Sequence, residues 1–176
     1  SNNFGKFKII DYTNRSNVII EFLNTGFNKK TTMHRVEKGD IKDDLVPTIE
    51  GIGINDWKYS KYYTGGRSIY YYRWVNMLRR VKNTQNKTAY ENVSCSQRWL
   101  YFSKFLDDIH EIENFDQLDW ELDKDILFKG NRTYSKETCC FVPSKINSLL
   151  ITLNSVRSNK GNQPLGVQFC NRDKIY

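Results

Sequence analysis

The sharpest hydrophobic periodicity in the chain lies in SIYYYRWVNMLRRVKN, from Ser68 to Asn83, where Trp74, Met77, Leu78 and Val81 recur at i, i+3, i+4 and i+7. That spacing predicts a helix with one apolar stripe, and Arg73, Arg79, Arg80 and Lys82 project from its other faces. A second helical pattern follows at Trp99, Phe102, Leu106 and Ile109, with Phe105 beside them and Ser94 or Ser96 as the N-cap. Phe102, Phe105 and Leu106 are expected to pack on Trp74 and Leu78. The far end of this helix carries Asp107, Asp108, Glu111 and Glu113 and should turn away from any phosphate backbone.

Elsewhere the pattern is that of strands and turns. Lys6–Tyr12 and Asn17–Leu23 are β-branched and aromatic runs separated by Thr13-Asn14-Arg15-Ser16. A turn at Thr25-Gly26 and a third strand over Lys30–Val36 would complete a meander. Glycine and proline then punctuate residues 37–67, a connector ordered in part by Ile52, Ile54, Trp57 and Tyr62. Its Gly51-x-Gly53 lacks the Lys-[Ser/Thr] of a phosphate-binding loop. Residues 118–143 read as strand, turn at Lys129–Arg132, and strand, with a helix starting at Pro143-Ser144 and carrying Ile146, Leu149 and Leu150. Ser158–Gln163 is a link, and Leu165–Cys170 opens a hairpin that stops at Tyr176, as expected of either a natural truncation or a piece of a longer chain. The expected fold is α+β: a small N-terminal antiparallel β meander (1–50), a glycine-rich connector (51–67), a helical domain with a finger-like strand-turn-strand-helix unit (68–157), and a link with the start of a hairpin (158–176).

Charge narrows the class of partner. Lys and Arg number 27 against 20 Asp and Glu, a net charge of +7 that favours a polyanion. Lys58, Lys61 and Arg67 alternate with Trp57, Tyr59, Tyr62 and Tyr63, a mixture of cations and π-faces suited to a nucleic-acid backbone or an unstacked base. No run approaches the roughly 18 apolar residues of a membrane span, and Ser1-Asn2-Asn3 does not open a signal peptide, so a soluble, cytoplasmic protein is expected. Cys95, Cys139, Cys140 and Cys170 form no C-x-x-C pair and are expected to be reduced structural thiols, with a zinc site drawing on His34 or His110 as the alternative. No cofactor is expected. The sequons at Asn14, Asn86, Asn92 and Asn131 reflect an asparagine-rich composition.

The strings YYRWVNMLRR, VSCSQRWLYFSKF and ELDKDILFKGNRTYSKETCCFVPSKINSLL, with the leading FGKFKIIDYTNRSNVIIEFLNTGF and KGDIKDDLVP, resemble the DNA-binding and HNH-type proteins of phage genomes, the homing endonucleases and their relatives. Pro164-Leu165-Gly166-Val167 is similar to the opening strand of an APETALA-like three-stranded DNA-binding sheet. The resemblance implies a first HNH strand over Glu121–Asp125, with Lys124 standing where that motif has its general-base histidine. A protonated lysine does not take a proton from water without a large pKa depression, so nuclease activity by that route is not expected. Asp123, Asp125 and Asn131 could hold a hard divalent ion or serve as internal ion-pair partners of Lys124. No Ser-His-Asp or Cys-His arrangement is legible.

The expected function is therefore sequence-specific binding of double-stranded DNA without cleavage, as in a transcriptional repressor derived from a mobile homing endonuclease, and a homodimer on a symmetric site fits that role. Under it Arg73, Arg79, Arg80 and Lys82 contact phosphates or base edges, and Lys58, Lys61 and Arg67 extend the basic track. Lys129, Arg132 and Lys145 contribute from the finger-like unit, and Arg157, Lys160 and Arg172 from the C-terminal stretch. The alternatives are a metal-dependent HNH-like endonuclease or its recognition fragment, and an interaction module whose cations merely solvate it.

Overall fold

A computed structural model describes residues 5–62, 68–82 and 92–154 of the chain. The architecture is α+β, opening with an antiparallel sheet of order β1-β2-β3 built from β1 (Phe7–Asn14), β2 (Asn17–Phe22) and β3 (Asn28–Thr31). The Asn14 side chain accepts the Ser16 N–H at 2.9 Å and closes the first turn. Along β2 the alternation is strict: Val18, Ile20 and Phe22 are buried against Ile41, with Phe7, Phe27, Met33 and Val36 around them. The third strand is shorter than the sequence suggested. It stops at Thr31, and Met33–Lys38 is a helix, α1. Met33 and Val36, three apart, share one helical face and close over the sheet, while Thr32 is extended and Gly39, at φ 68°, ends the helix in the left-handed region.

The connector is folded into the core. Asp43 is buried, accepting the Thr25 hydroxyl at 2.7 Å and the Leu45 N–H at 3.0 Å. Asp44 joins Lys29, at 3.0 Å, to Lys58. Burial raises the Asp44 carboxyl, but hydrogen bonds from Lys58 and Lys29 outweigh it and hold the group below its ordinary value. A bridge between Ile49 and Gly53 then lays Gly53 on α2 (Ile69–Lys82). A Cβ there would stand 2.9 Å from the Trp74 ring and closer still to Leu78. Close approach to a helix, rather than phosphate binding, is what this glycine provides.

The main core gathers Trp74, Met77 and Leu78 of α2 with Trp99 and with Phe102, Phe105, Leu106 and Ile109 of α3 (Phe102–Ile109). Trp74 and Phe102 meet with ring centroids 5.1 Å apart, and the Trp74 indole N–H donates to the Trp99 carbonyl at 2.8 Å. The expected single helix from Ser94 or Ser96 is in fact three pieces: β4 (Ser94–Cys95), a 3-10 turn over Gln97–Leu100, and α3. Neither serine caps α3. Asp56, from the connector, accepts the Ser103 N–H at 2.7 Å and its hydroxyl at 2.5 Å. A buried carboxylate thus sits at the positive end of the helix.

The finger-like unit also departs from expectation. The extended segment after the turn is in fact two strands: β7 (Cys140–Pro143) runs antiparallel to β5 (Trp120–Asp123), and β6 (Thr133–Tyr134) runs parallel to β4. The Asp123 side chain accepts the N–H groups of Asp125 and Ile126, at 2.6 and 2.9 Å, and turns the chain out of β5 into the long loop that precedes β6. The closing helix is present as α4 (Ser144–Asn154).

Candidate nucleic-acid interface

With Trp74, Val75, Met77 and Leu78 buried, the opposite face of α2 is fixed by the helical repeat. Tyr72, Asn76 and Arg79, at i, i+4 and i+7, form its outer ridge, and Lys82 follows, exposed. Tyr72 is 53% exposed and the Arg79 side chain 63%. The Arg79 Nε donates to the Glu50 carboxylate at 2.9 Å, and its guanidinium reaches the Asn76 side-chain oxygen at 3.5 Å. Glu50 is held in place by a turn in which it and Gly51 take φ 51° and 76°. An ion pair this exposed contributes roughly 0–1 kcal/mol, so Arg79 can exchange Glu50 for another anion at little cost. Beside the ridge, Asn76 and Arg80 line a cleft of about 120 Å³ against Glu121 and Tyr134, where Arg80 donates to the Tyr134 hydroxyl at 3.2 Å.

Two other cations expected at the interface, Arg73 and Lys58, are engaged within the fold. Arg73 donates to the carbonyls of Phe115, Gln117 and Trp120 at 2.5, 2.6 and 2.8 Å, and its guanidinium lies 4.8 Å from the Phe141 ring centre. Burial lowers its pKa, so it is a desolvated clamp between α2 and the segment leading into β5. Lys58 pairs with Asp44 and lies over the Tyr59 ring at 5.1 Å. Lys61 is exposed over Tyr62, which stacks on His110 at 3.9 Å. Lys129, Arg132 and Lys145 are exposed. Arg67, Arg157, Lys160 and Arg172 lie outside the described residues, as do Tyr63, Cys170 and the expected C-terminal hairpin. Of the thirteen expected contact residues, α2 therefore brings Arg79, Arg80 and Lys82 together on or beside one ridge.

The acidic segment serves the loop that contains it. Lys124 is buried and pairs with Asp125 at 2.7 Å, near the Tyr134 ring. Asp123 holds backbone N–H groups, and the Asn131 amide bridges the carbonyls of Lys124 and Thr133, both at 2.8 Å. Among the described residues no three His, Cys, Asp or Glu side chains converge as a metal site would require. Cys95, Cys139 and Cys140 are unpaired, and burial pushes the Cys95 thiol up to about 11 and the Cys139 thiol up to about 12.

Tyr72, Asn76 and Glu50 belong to this surface and were not singled out from the sequence. The first two were legible there as the polar stripe opposite the apolar one; Glu50 was not, because only the fold carries the connector to Arg79. Comparison with known proteins yields no match to a family model, to a curated protein or to a solved structure.

Proposed function

We propose that this chain binds double-stranded DNA by laying the outer ridge of α2 against it, and that it acts by occupying its site, as a repressor does, without cutting. The observation that carries this reading is the ridge itself: Tyr72, Asn76, Arg79 and Lys82 on a helix whose inner face is anchored by Trp74, Met77 and Leu78. Arginine recognises guanine and phosphate through paired N–H groups, asparagine matches the adenine edge, and tyrosine offers a stacking surface. The net charge of +7 supplies the long-range attraction that brings a polyanion to this face. Rigid mounting favours recognition, because little side-chain or backbone freedom remains to be lost when the contacts form. The internal engagement of Asp123, Asp125 and Asn131 favours occupancy over metal-assisted hydrolysis for that segment.

The test is one gel of duplex fragments at two salt concentrations, with and without magnesium. Retention of selected fragments that weakens with salt and leaves the DNA intact supports the proposal. Magnesium-dependent cutting that disappears in Asp123→Ala would replace it with the nuclease reading. No retention would remove DNA altogether, and retention insensitive to salt would remove the cationic ridge as its contact.

A further inference from the structure

The sheet order β1-β2-β3 leaves β1, eight residues long, with one edge that no described strand pairs with. Lysines and bulges commonly guard such an edge against association, and β1 has both. A guarded edge does not also display a run of apolar side chains, yet here Ile9 and Ile10 are each 44% exposed and Tyr12 54%. The bulge is informative in its own right. The register with β2 slips at Ile10, pairing Lys8 with Glu21 and Asp11 with Ile19, but Phe7, Ile9 and Tyr12 with the buried Phe22, Ile20 and Val18. Lys8 and Asp11 therefore share one face of the sheet, and Phe7, Ile9 and Tyr12 the other, although in a regular strand residues three or five apart face opposite ways.

The segment Phe7-Lys8-Ile9-Ile10-Asp11-Tyr12 then reads, in either direction, aromatic, charged, isoleucine, isoleucine, charged, aromatic, with opposite charges at the two ends. We propose that two copies of this chain associate edge to edge through β1. The strands run antiparallel about a twofold axis, Ile9 lies opposite the second copy's Ile10, Lys8 meets its Asp11 and Phe7 meets its Tyr12. The slip at Ile10 is what places each of the outer pairs on a common face, so the pairing is complementary in charge, in shape and in facing. Two three-stranded sheets become one of six strands, and the exposed isoleucines and Tyr12 are covered. The contact is smaller than the 1,200–2,000 Å², roughly, of a stable interface, so the dimer depends on protein concentration. This inference goes beyond the DNA-binding reading and does not rest on it, and it is tested on the protein alone.

In sedimentation equilibrium of the full chain, the mass should climb from 20.9 kDa toward twice that value as concentration rises. Lys8→Asp and Asp11→Lys each place like charges opposite one another at two symmetric points and should each weaken the dimer by about tenfold. The combined swap should restore most of it, the remainder being lost because a carboxylate at position 8 then opposes Glu21, which Lys8 pairs with at 3.2 Å in the unmodified chain. Amide exchange of the unmodified chain at low and high concentration is the second measurement, and protection should be gained along residues 7–12. A monomer at every concentration overturns the proposal. So does a dimer indifferent to the single swaps, a double swap that fails to recover, or protection that appears on another element and not on β1.

Discussion

Replacing Arg73 with alanine separates a structural cation from a DNA-contacting one. Its guanidinium ties α2 to three carbonyls, of which those of Phe115 and Trp120 take part-buried bonds while that of Gln117 takes an exposed one. Charge-assisted bonds contribute roughly 1.5–3 kcal/mol each, and an exposed carbonyl recovers water when its partner is lost. Counting the two part-buried bonds near the lower end, the loss is about 3 kcal/mol. In a chain of this size each kcal/mol moves the melting temperature by roughly 2–4 °C, so Arg73→Ala should melt about 6–12 °C lower. Arg73→Lys keeps the charge but not the planar fork that spans three acceptors, and should recover only part of the loss. The assay is urea unfolding followed by tryptophan fluorescence, paired with DNA binding at a temperature where the variant is folded. Unchanged stability, with a salt dependence of binding reduced by about 0.9, would refute this reasoning and return Arg73 to the interface.

Asp56→Ala should cost about 2 kcal/mol in the same unfolding assay, because it strips the cap from α3 and leaves the Ser103 N–H without a partner in a buried setting. Asp56→Asn, which keeps an acceptor, should cost less. Gly53→Ala should destabilise by roughly 1–3 kcal/mol, since its methyl group meets the rigid Trp74 ring and the end of Leu78, both fully buried in the core. Alkylation mapped by mass spectrometry should find Cys95 and Cys139 slow to react near neutral pH in the native protein and fast once it is unfolded. The same thiols link stability to pH. Unfolding returns them to the ordinary value of about 8.5, so their contribution is complete below that pH and is lost as pH rises toward 11 and 12. Urea midpoints measured across that alkaline range give the check.

Local periodicity made the largest parts of the fold readable. The stripe at Trp74, Met77 and Leu78 and the alternation of Val18, Ile20 and Phe22 are each set by one element burying one face, and both were legible. The pairing of distant segments was not. Nothing near Ser103 announces that its cap comes from Asp56, and nothing in β5 or β6 says that their partners are β7 and β4. Met33 and Val36, three apart, both meet the core only from a helical turn, which Gly39 ends in the left-handed conformation. At the candidate site the sequence marked the right helix but could not sort its cations. Arg73 and Arg79 look alike along the chain; one is desolvated under three carbonyls and the other is open to solvent beside Glu50.

The most direct test of the α2 interface is the slope of log affinity against log salt for duplex DNA, measured for the unmodified chain and for the Arg79→Ala, Lys82→Ala double variant. Each phosphate contact removed lowers the slope by about 0.9, so the double variant should lose about 1.8 while its unfolding curve barely moves, and Glu50→Gln should bind more tightly by releasing Arg79. A slope identical in the unmodified and double-variant proteins would contradict the account and place any DNA contact on a different surface.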